Sequence, residues 1–174
     1  MKPTAKSPEG ESSKSSERQL VALELGDEIY GIDIACIHTV LMPQSITAVP
    51  KTPEYVKGVM NLRGQILPVI DMRLRFDLPA ESHPKTRIVI VNVGGVAAGL
   101  IVDAISEVVR LPESEVEPPS VLLSSVAADC ITGIGRSTSR GDDGVDEQRL
   151  ILILDVYKLL TGSLSEADLA SLAA

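Results

Sequence analysis

The chain repeats itself, and the repeat limits what it can fold into. Setting Gly31 against Gly99, a shift of 68, brings Ile32 onto Leu100, Ile34 onto Val102, Ile37 onto Ile105 and Val40 onto Val108. Farther on, Val56-Lys57-Gly58-Val59 matches Ile131-Thr132-Gly133-Ile134. Ile66 to Met72 then matches Leu150 to Val156 at a shift of 84, with Asp71 on Asp155. The growing shift reads as longer connections in the second copy. Each copy is roughly 70 residues of short apolar runs broken by Gly and Pro, the pattern of strands and turns. Two such units imply two small β-barrels. Units this small bury too little surface to be stable alone, so they share a groove or interleave strands.

The runs place the elements. Leu20 to Leu25 and Ile29 to Ile34 read as two strands around Gly26-Asp27, and Ile88 to Val93 and Val96 to Val102 as two more around Gly94-Gly95. Strands follow at Gly58 to Asn61 and Gln65 to Ile70. Asp71 to Phe76 and Asp155 to Leu160 read as short helices, each opened by an acid that suits a helix N-terminus. Glu54 to Lys57 reads as one helical turn, with Thr52 as N-cap and Pro53 at the first position. Residues 1–18 are rich in Ser, Lys, Glu and Pro and cannot bury enough surface to offset chain entropy, so a disordered tail is expected. Residues 19–162 form the folded region, with the second barrel built mainly from 85–154. Residues 163–174 end in a short helix opened by Ser165-Glu166-Ala167-Asp168.

Composition excludes several classes of function. The core is aliphatic, because one Phe and three Tyr are all the aromatics in 174 residues. No continuously apolar run approaches the ~18 residues that span a bilayer, since the uncharged residues 34–50 are broken by Pro43 and Pro50 and by polar side chains, and Met1 to Glu17 holds no apolar stretch of the secretory kind. The net charge of -8 argues against general nucleic-acid binding. It is also uneven: residues 79–174 hold 7 basic and 14 acidic side chains, while residues 18–78 hold 6 and 7. Cys36 and Cys130 each lie in an apolar stretch and read as buried thiols rather than a bridge. A cytoplasmic protein without cofactor or metal is expected.

Nothing in the sequence recommends a catalytic centre. His38 and His83 stand outside any motif, and no nucleophile elbow, phosphate loop or zinc pattern is present. The acids Asp142, Asp143, Asp146 and Glu147 crowd one loop, but their spacing is not that of a calcium hand. The informative segment is Val56 to Phe76, where an Asn-Leu-Arg-Gly turn parts two apolar strands. Gly64 can take positive φ and close the turn, which aims Arg63 outward. The second copy has a long polar loop there, Arg136 to Arg149. A tight loop in one copy and a long one in the other suggests a recognition surface.

At this segment the chain resembles the CheW family of bacterial chemotaxis coupling proteins. The match is to Gly-x-x-Asn-Leu-Arg-Gly followed by an apolar strand and Pro-Val-Ile-Asp, here Gly58, Asn61, Leu62, Arg63, Gly64, Pro68, Val69, Ile70 and Asp71. It extends over nearly all of Gln19 to Leu160, through the opening LGDEIYGIDI, then GLIVDAISEVV, ITGIG and the closing LILILDVYKLL. The resemblance implies two SH3-like barrels, mainly β with short helices and a C-terminal helix, and no enzymatic activity. It implies an adaptor holding a CheA-type histidine kinase, through its regulatory domain, to the cytoplasmic tips of methyl-accepting chemoreceptors. Membrane association would then be indirect, through those receptors. A related adaptor of surface motility or biofilm signalling is the alternative.

By the same resemblance, the receptor tip docks between the barrels against Ile37, Thr39, Gly58, Asn61, Arg63, Gly64, Ile105 and Val108. The kinase contacts fall to Ile34, Glu117 and Leu122. Thr39 stands where the family usually has an acid, and Glu117 where a base can occur. Residues 137–148 and the tail are additions.

Overall fold

The computed structural model describes residues 17–79, 81–119, 129–140 and 143–163. Ten strands run in chain order: β1 (Glu17–Leu25), β2 (Glu28–Asp33), β3 (Ile37–Leu41), β4 (Val56–Leu62), β5 (Gln65–Asp71), β6 (Arg87–Val93), β7 (Val96–Val102), β8 (Ala104–Pro112), β9 (Ile131–Arg140) and β10 (Asp146–Leu154). Helix α1 (Met72–Arg75) follows β5 and α2 (Val156–Ser163) follows β10. Asp71 caps α1 by accepting from the Arg73 and Leu74 amides, and the Asp155 carboxylate accepts from the Lys158 amide at the start of α2. The two acids paired by the repeat therefore do the same job.

The strands form two five-stranded sheets of the same design. One runs β8-β1-β2-β10-β9 and the other β3-β6-β7-β5-β4. Under the repeat, β1 and β2 correspond to β6 and β7, and β8, β9 and β10 to β3, β4 and β5, so the two orders are identical. The register agrees as well. Parallel pairing sets Ile153 beside Gly31 in the first sheet and Val69 beside Gly99 in the second, the residues that shifts of 84 and 68 equate.

Each sheet closes into a barrel through the segment after its edge strand. Thr47 bridges Val59 of β4, and Glu117 bridges Ile134 of β9. The first sheet, with this closure, is barrel A, and the second is barrel B. The repeat-paired glycines 58 and 133 lie under these closures. A Cβ on Gly58 would run into the Thr47 carbonyl and come within 2.9 Å of Ala48 Cα.

The expectation of a second barrel from 85–154 is corrected. The hairpins are exchanged: β1 and β2 complete the barrel of the second copy, while β6 and β7 complete that of the first. The exchange buries both faces of each central hairpin, which is why those strands read as continuous apolar runs. One face packs at the centre, where Val21, Leu23, Leu25, Tyr30 and Ile32 meet Val89, Val91, Ala98, Leu100 and Val102. The other fills its own barrel, with Leu20 beside Leu111 and Ile153 in A, and Ile88 and Ile90 beside Met60, Leu67 and Val69 in B.

Three local expectations also change. Thr52 to Val56 is a turn closed by the Val56 amide on the Pro53 carbonyl, because Val56 already pairs with Ile70 as β4 begins. β1 starts at Glu17, so Glu17 and Arg18 leave the expected tail, and the Arg18 guanidinium forks onto Glu113 at 2.6 Å. Ile34 ends no strand but opens the short turn Ile34–Cys36. Residues 1–16 of the tail and the expected helix at 165–170 lie outside the described residues.

Candidate protein-interaction surface

The Asn61–Gly64 turn is a two-residue hairpin loop. Leu62 pairs with Gln65, leaving Arg63 and Gly64 as the loop, and both have positive φ, 51° and 85°. That is the backbone of the turn whose twist matches a hairpin, and Asn-Gly is the pair that suits it best. The Asn61 side chain accepts from the Gly64 amide at 2.9 Å and fixes the turn. Arg63 is thus held in a conformation that disfavours a long side chain. The side chain is exposed and makes no hydrogen bond or ion pair among the described residues. The positive φ of Gly64 was legible in the sequence, and that of Arg63 was not.

Strand direction places this turn. β5 runs parallel to β7, so its start lies on the side of Val96. The Arg63–Gly64 and Gly94–Gly95 turns therefore leave barrel B at the same end. Ile37, opposite Val91 on β3, is also toward that end. Ile37 and Ile105, partners in the repeat, are both half-buried and pack against the rim of the central core. Val108 is exposed on β8, and Thr39 is half-buried opposite Ile90. Gly58 lies outside the turn, on β4, where its lack of a side chain serves the barrel closure at Thr47.

Kinase contacts were expected at two places, Ile34 for one and Glu117 with Leu122 for the other, and Ile34 and Glu117 are among the described residues. Ile34 is exposed on the short turn between β2 and β3. Glu117 is exposed on the closure of barrel A, with its carboxylate 3.3 Å from Arg136. Leu122 lies outside the described residues. The β9–β10 ribbon pairs with β2 only at Ile151–Ile153, and beyond Leu150 its Arg136, Ser137, Thr138 and Arg149 flank β8 from Glu107 to Leu111.

Sequence reasoning missed a buried ionic bridge between the barrels. Asp103 stands between β7 and β8. Its carboxylate accepts from Arg73 Nε and Nη2, both at 2.7 Å, and from the Gly26 amide at 2.9 Å. Arg73 is 9% exposed and Asp103 5%. Burial pushes the Asp103 carboxyl up, but the Arg73 fork and the Gly26 amide outweigh it and hold it below the usual carboxylate range. The same bonds raise the Arg73 guanidinium. The signal was present in the repeat, where Asp103 falls on Ala35 and a charge stands where its partner is apolar. Nearby, Arg75 lies 5.4 Å from the Tyr55 ring centre and donates to Ser163 Oγ at 2.7 Å, joining α1 to the end of α2.

Cys36 and Cys130 are free thiols, both pushed up chiefly by burial. His38 and His83 are exposed. Among the described residues, no three His, Cys, Asp or Glu side chains are placed to hold a metal. Among the same residues, no helix is long and apolar enough to cross a membrane.

Known proteins share this architecture. A family model described as the CheW-like domain matches residues 19–163. The chemotaxis protein CheW of Klebsiella aerogenes is 32% identical over 145 residues, covering 83% of this chain and 82% of that protein. Protein FrzA of Myxococcus xanthus is 30% identical over 146 residues, covering 83% and 86%. The crystal structure of the scaffolding protein TtCheW from Thermoanaerobacter tengcongensis superposes with a TM-score of 0.71 at 37% identity, covering 83% of this chain and 92% of that one.

Proposed function

This chain belongs to the CheW-like domain family, and from that membership we propose a scaffold that couples chemoreceptors to a CheA-type histidine kinase in chemotaxis signalling. The role is non-enzymatic and cytoplasmic, with recruitment to receptor arrays through the receptors. Holding two partners on one small body raises their effective concentration for each other. Passing a signal also requires contacts that differ between the active and inactive assemblies.

The observation that carries the receptor reading is the arginine at positive φ in the Asn61–Gly64 turn. Local stability favours Asn there, so the side chain is retained for what it meets outside the chain. The partner is the helical tip of a receptor. Its apolar residues lie along Ile37, Ile105 and Val108, Thr39 borders them, and the Arg63 fork takes carboxylate or carbonyl oxygens. Asn61 and Gly64 shape the turn, and Gly58 holds the barrel beneath it. The kinase regulatory domain meets barrel-end surfaces at Ile34 and at Glu117 and Leu122.

Co-purification from the native host tests this, with Arg63→Glu and Arg63→Asn beside the wild type. Wild type should capture receptors and kinase, and both variants should keep the kinase and lose the receptors. Arg63→Asn should also unfold at a higher temperature, stabilised by about 1 kcal/mol through relief of the left-handed conformation. Receptor capture by the folded variants would refute the role given to Arg63.

A second reading is supported by the relative named FrzA, a family member that does not carry the chemotaxis protein CheW name. In that case the adaptor serves another chemosensory-like pathway, such as surface motility or biofilm signalling. The kinase captured would distinguish the two.

A further inference from the structure

Among the described residues, the chain crosses between the barrels twice. β1 and β2 belong to barrel A, β3 to β7 to barrel B, and β8 to β10 to barrel A again. One crossing is the short turn Ile34–Cys36 and the other is Asp103. Ile37 and Ile105 are the first strand residues after these crossings or one beyond, so their separation follows from how the crossings are held.

The repeat equates the two crossings, yet they are built from different chemistry. Asp103, Gly26 and Arg73 correspond to Ala35, Gly94 and Tyr157. At the first set, a two-pronged ion pair and an amide bond converge on one carboxylate, and the Asp103 amide donates to the Glu24 carbonyl at 3.1 Å. Arg73 also donates from Nη1 to the Pro79 carbonyl at 3.0 Å. At the second set, the Tyr157 ring lies against Gly94, so close that a Cβ there would stand 3.1 Å from it. Tyr157 is 50% exposed, and its hydroxyl makes no hydrogen bond among the described residues. One crossing is tied across the barrels by a directed ion pair, whereas the other keeps only local bonds, with the Asp33 carboxylate accepting from the Ala35 amide at 2.9 Å and the Ile34 carbonyl from the Ile37 amide.

We propose that the Arg73–Asp103–Gly26 bridge positions the receptor groove by pinning one crossing, while the Ala35–Gly94–Tyr157 crossing is the one that yields. Arg73 and Asp103 are positioning residues. They touch no partner and act through Ile37 and Ile105. A buried ion pair is weak evidence for stability, because an apolar pair of similar volume can replace it at little cost. What the apolar pair lacks is direction: the planar fork fixes the angle between α1 and the β7–β8 crossing. Arg73 therefore serves barrel geometry more than barrel folding. This inference rests on the receptor reading above for its consequence in binding, but not for its geometry.

The experiment uses the full chain with spin labels at the exposed positions 44 in barrel B and 115 in barrel A, in a Cys36→Ala, Cys130→Ala background. The double variant Arg73→Met, Asp103→Leu removes the pin without stranding a charge. Its inter-label distance distribution should broaden. Its affinity for a receptor-tip fragment should fall about tenfold, while its affinity for the kinase regulatory domain stays at the wild-type value. Unchanged width, or unchanged receptor affinity in a folded variant, would overturn the proposal.

The second variant transplants the pin: Ala35→Asp with Tyr157→Arg, both at solvent-facing positions. It should narrow the distribution, and an unchanged width would show that this crossing does not yield. If wild type itself binds no receptor tip, the receptor reading fails while the two distance measurements still decide the pin.

Discussion

Single residues carry the sharpest constraints in this molecule. Gly58 has a φ of 142° and lies against the Thr47 carbonyl, which belongs to the backbone and cannot swing away. Gly58→Ala should cost more than about 2 kcal/mol, seen as a lowered denaturant midpoint. Gly133→Ala, its repeat partner, meets the movable Val116 side chain first and should cost less. Asp103 makes the fold sensitive to acid. Its folded value is depressed, so its contribution is present above the unfolded carboxyl's value of about 3.9 and is lost as pH falls through the lower folded one. Denaturation from about pH 3 to 7 should show Asp103→Asn less stable than wild type at neutral pH, with a flatter acid limb. Gly64, Asp71 and Asp155 were legible because turn and cap chemistry are local. The closure at Gly58 was not legible, because the atom that demands a glycine comes from Thr47, eleven positions earlier and outside the motif.

At the level of elements, alternation and turn signals placed most strands to within a few residues. They did not place β3, β8, β9 or β10, and Arg136 to Arg149, read as a polar loop, is largely the β9–β10 ribbon; at the ends of the placed elements, pairing outvotes propensity. Thr52 and Pro53 announce a helix, but Val56 is taken by Ile70 across the sheet. Glu17 and Arg18 look like tail, but they pair with Pro112 and Leu111 of β8. The β9–β10 ribbon is separable in a way the other hairpins are not. Its inner pairs, from Ile131–Leu154 to Gly135–Ile151, belong to barrel A, while Arg136–Leu150 to Arg140–Asp146 run past the pairing with β2 and flank β8 through Arg136, Ser137 and Thr138. Replacing residues 138–148 by Asn-Gly keeps Ser137 opposite Arg149 and should shift thermal stability by no more than about 1 kcal/mol. A large loss would mean that the removed part of the ribbon holds barrel A together.

For the whole molecule, the repeat was readable and its wiring was not. Shifts of 68 and 84 equate residues of the same type, and both an exchanged and an unexchanged pair of barrels satisfy them. What decides is which copy's hairpin lies beside β5 and β10, a long-range pairing with no local mark. The exchange has a thermodynamic signature. The central core draws on β1, β2, β6 and β7 alike, so neither barrel keeps its outer face covered when the other is lost. Scanning calorimetry should show one unfolding transition whose calorimetric and van't Hoff enthalpies agree. Two resolved transitions would mean that the barrels are independent units.

The nesting of one barrel inside the other also sets an order of events during synthesis. Barrel B is continuous from Ile37 to Val102, whereas barrel A is split around it. A chain growing at about 5–20 residues per second can assemble barrel B as soon as Val102 is free. β1 and β2 are made first and completed last, waiting for residues 103–154 over an interval on the order of seconds. In that interval the finished barrel can shelter Val21, Leu23 and Ile32, but Leu20 and its face have no barrel to enter. The hairpin made before barrel B and completed after it is the part most exposed to mispairing on the ribosome.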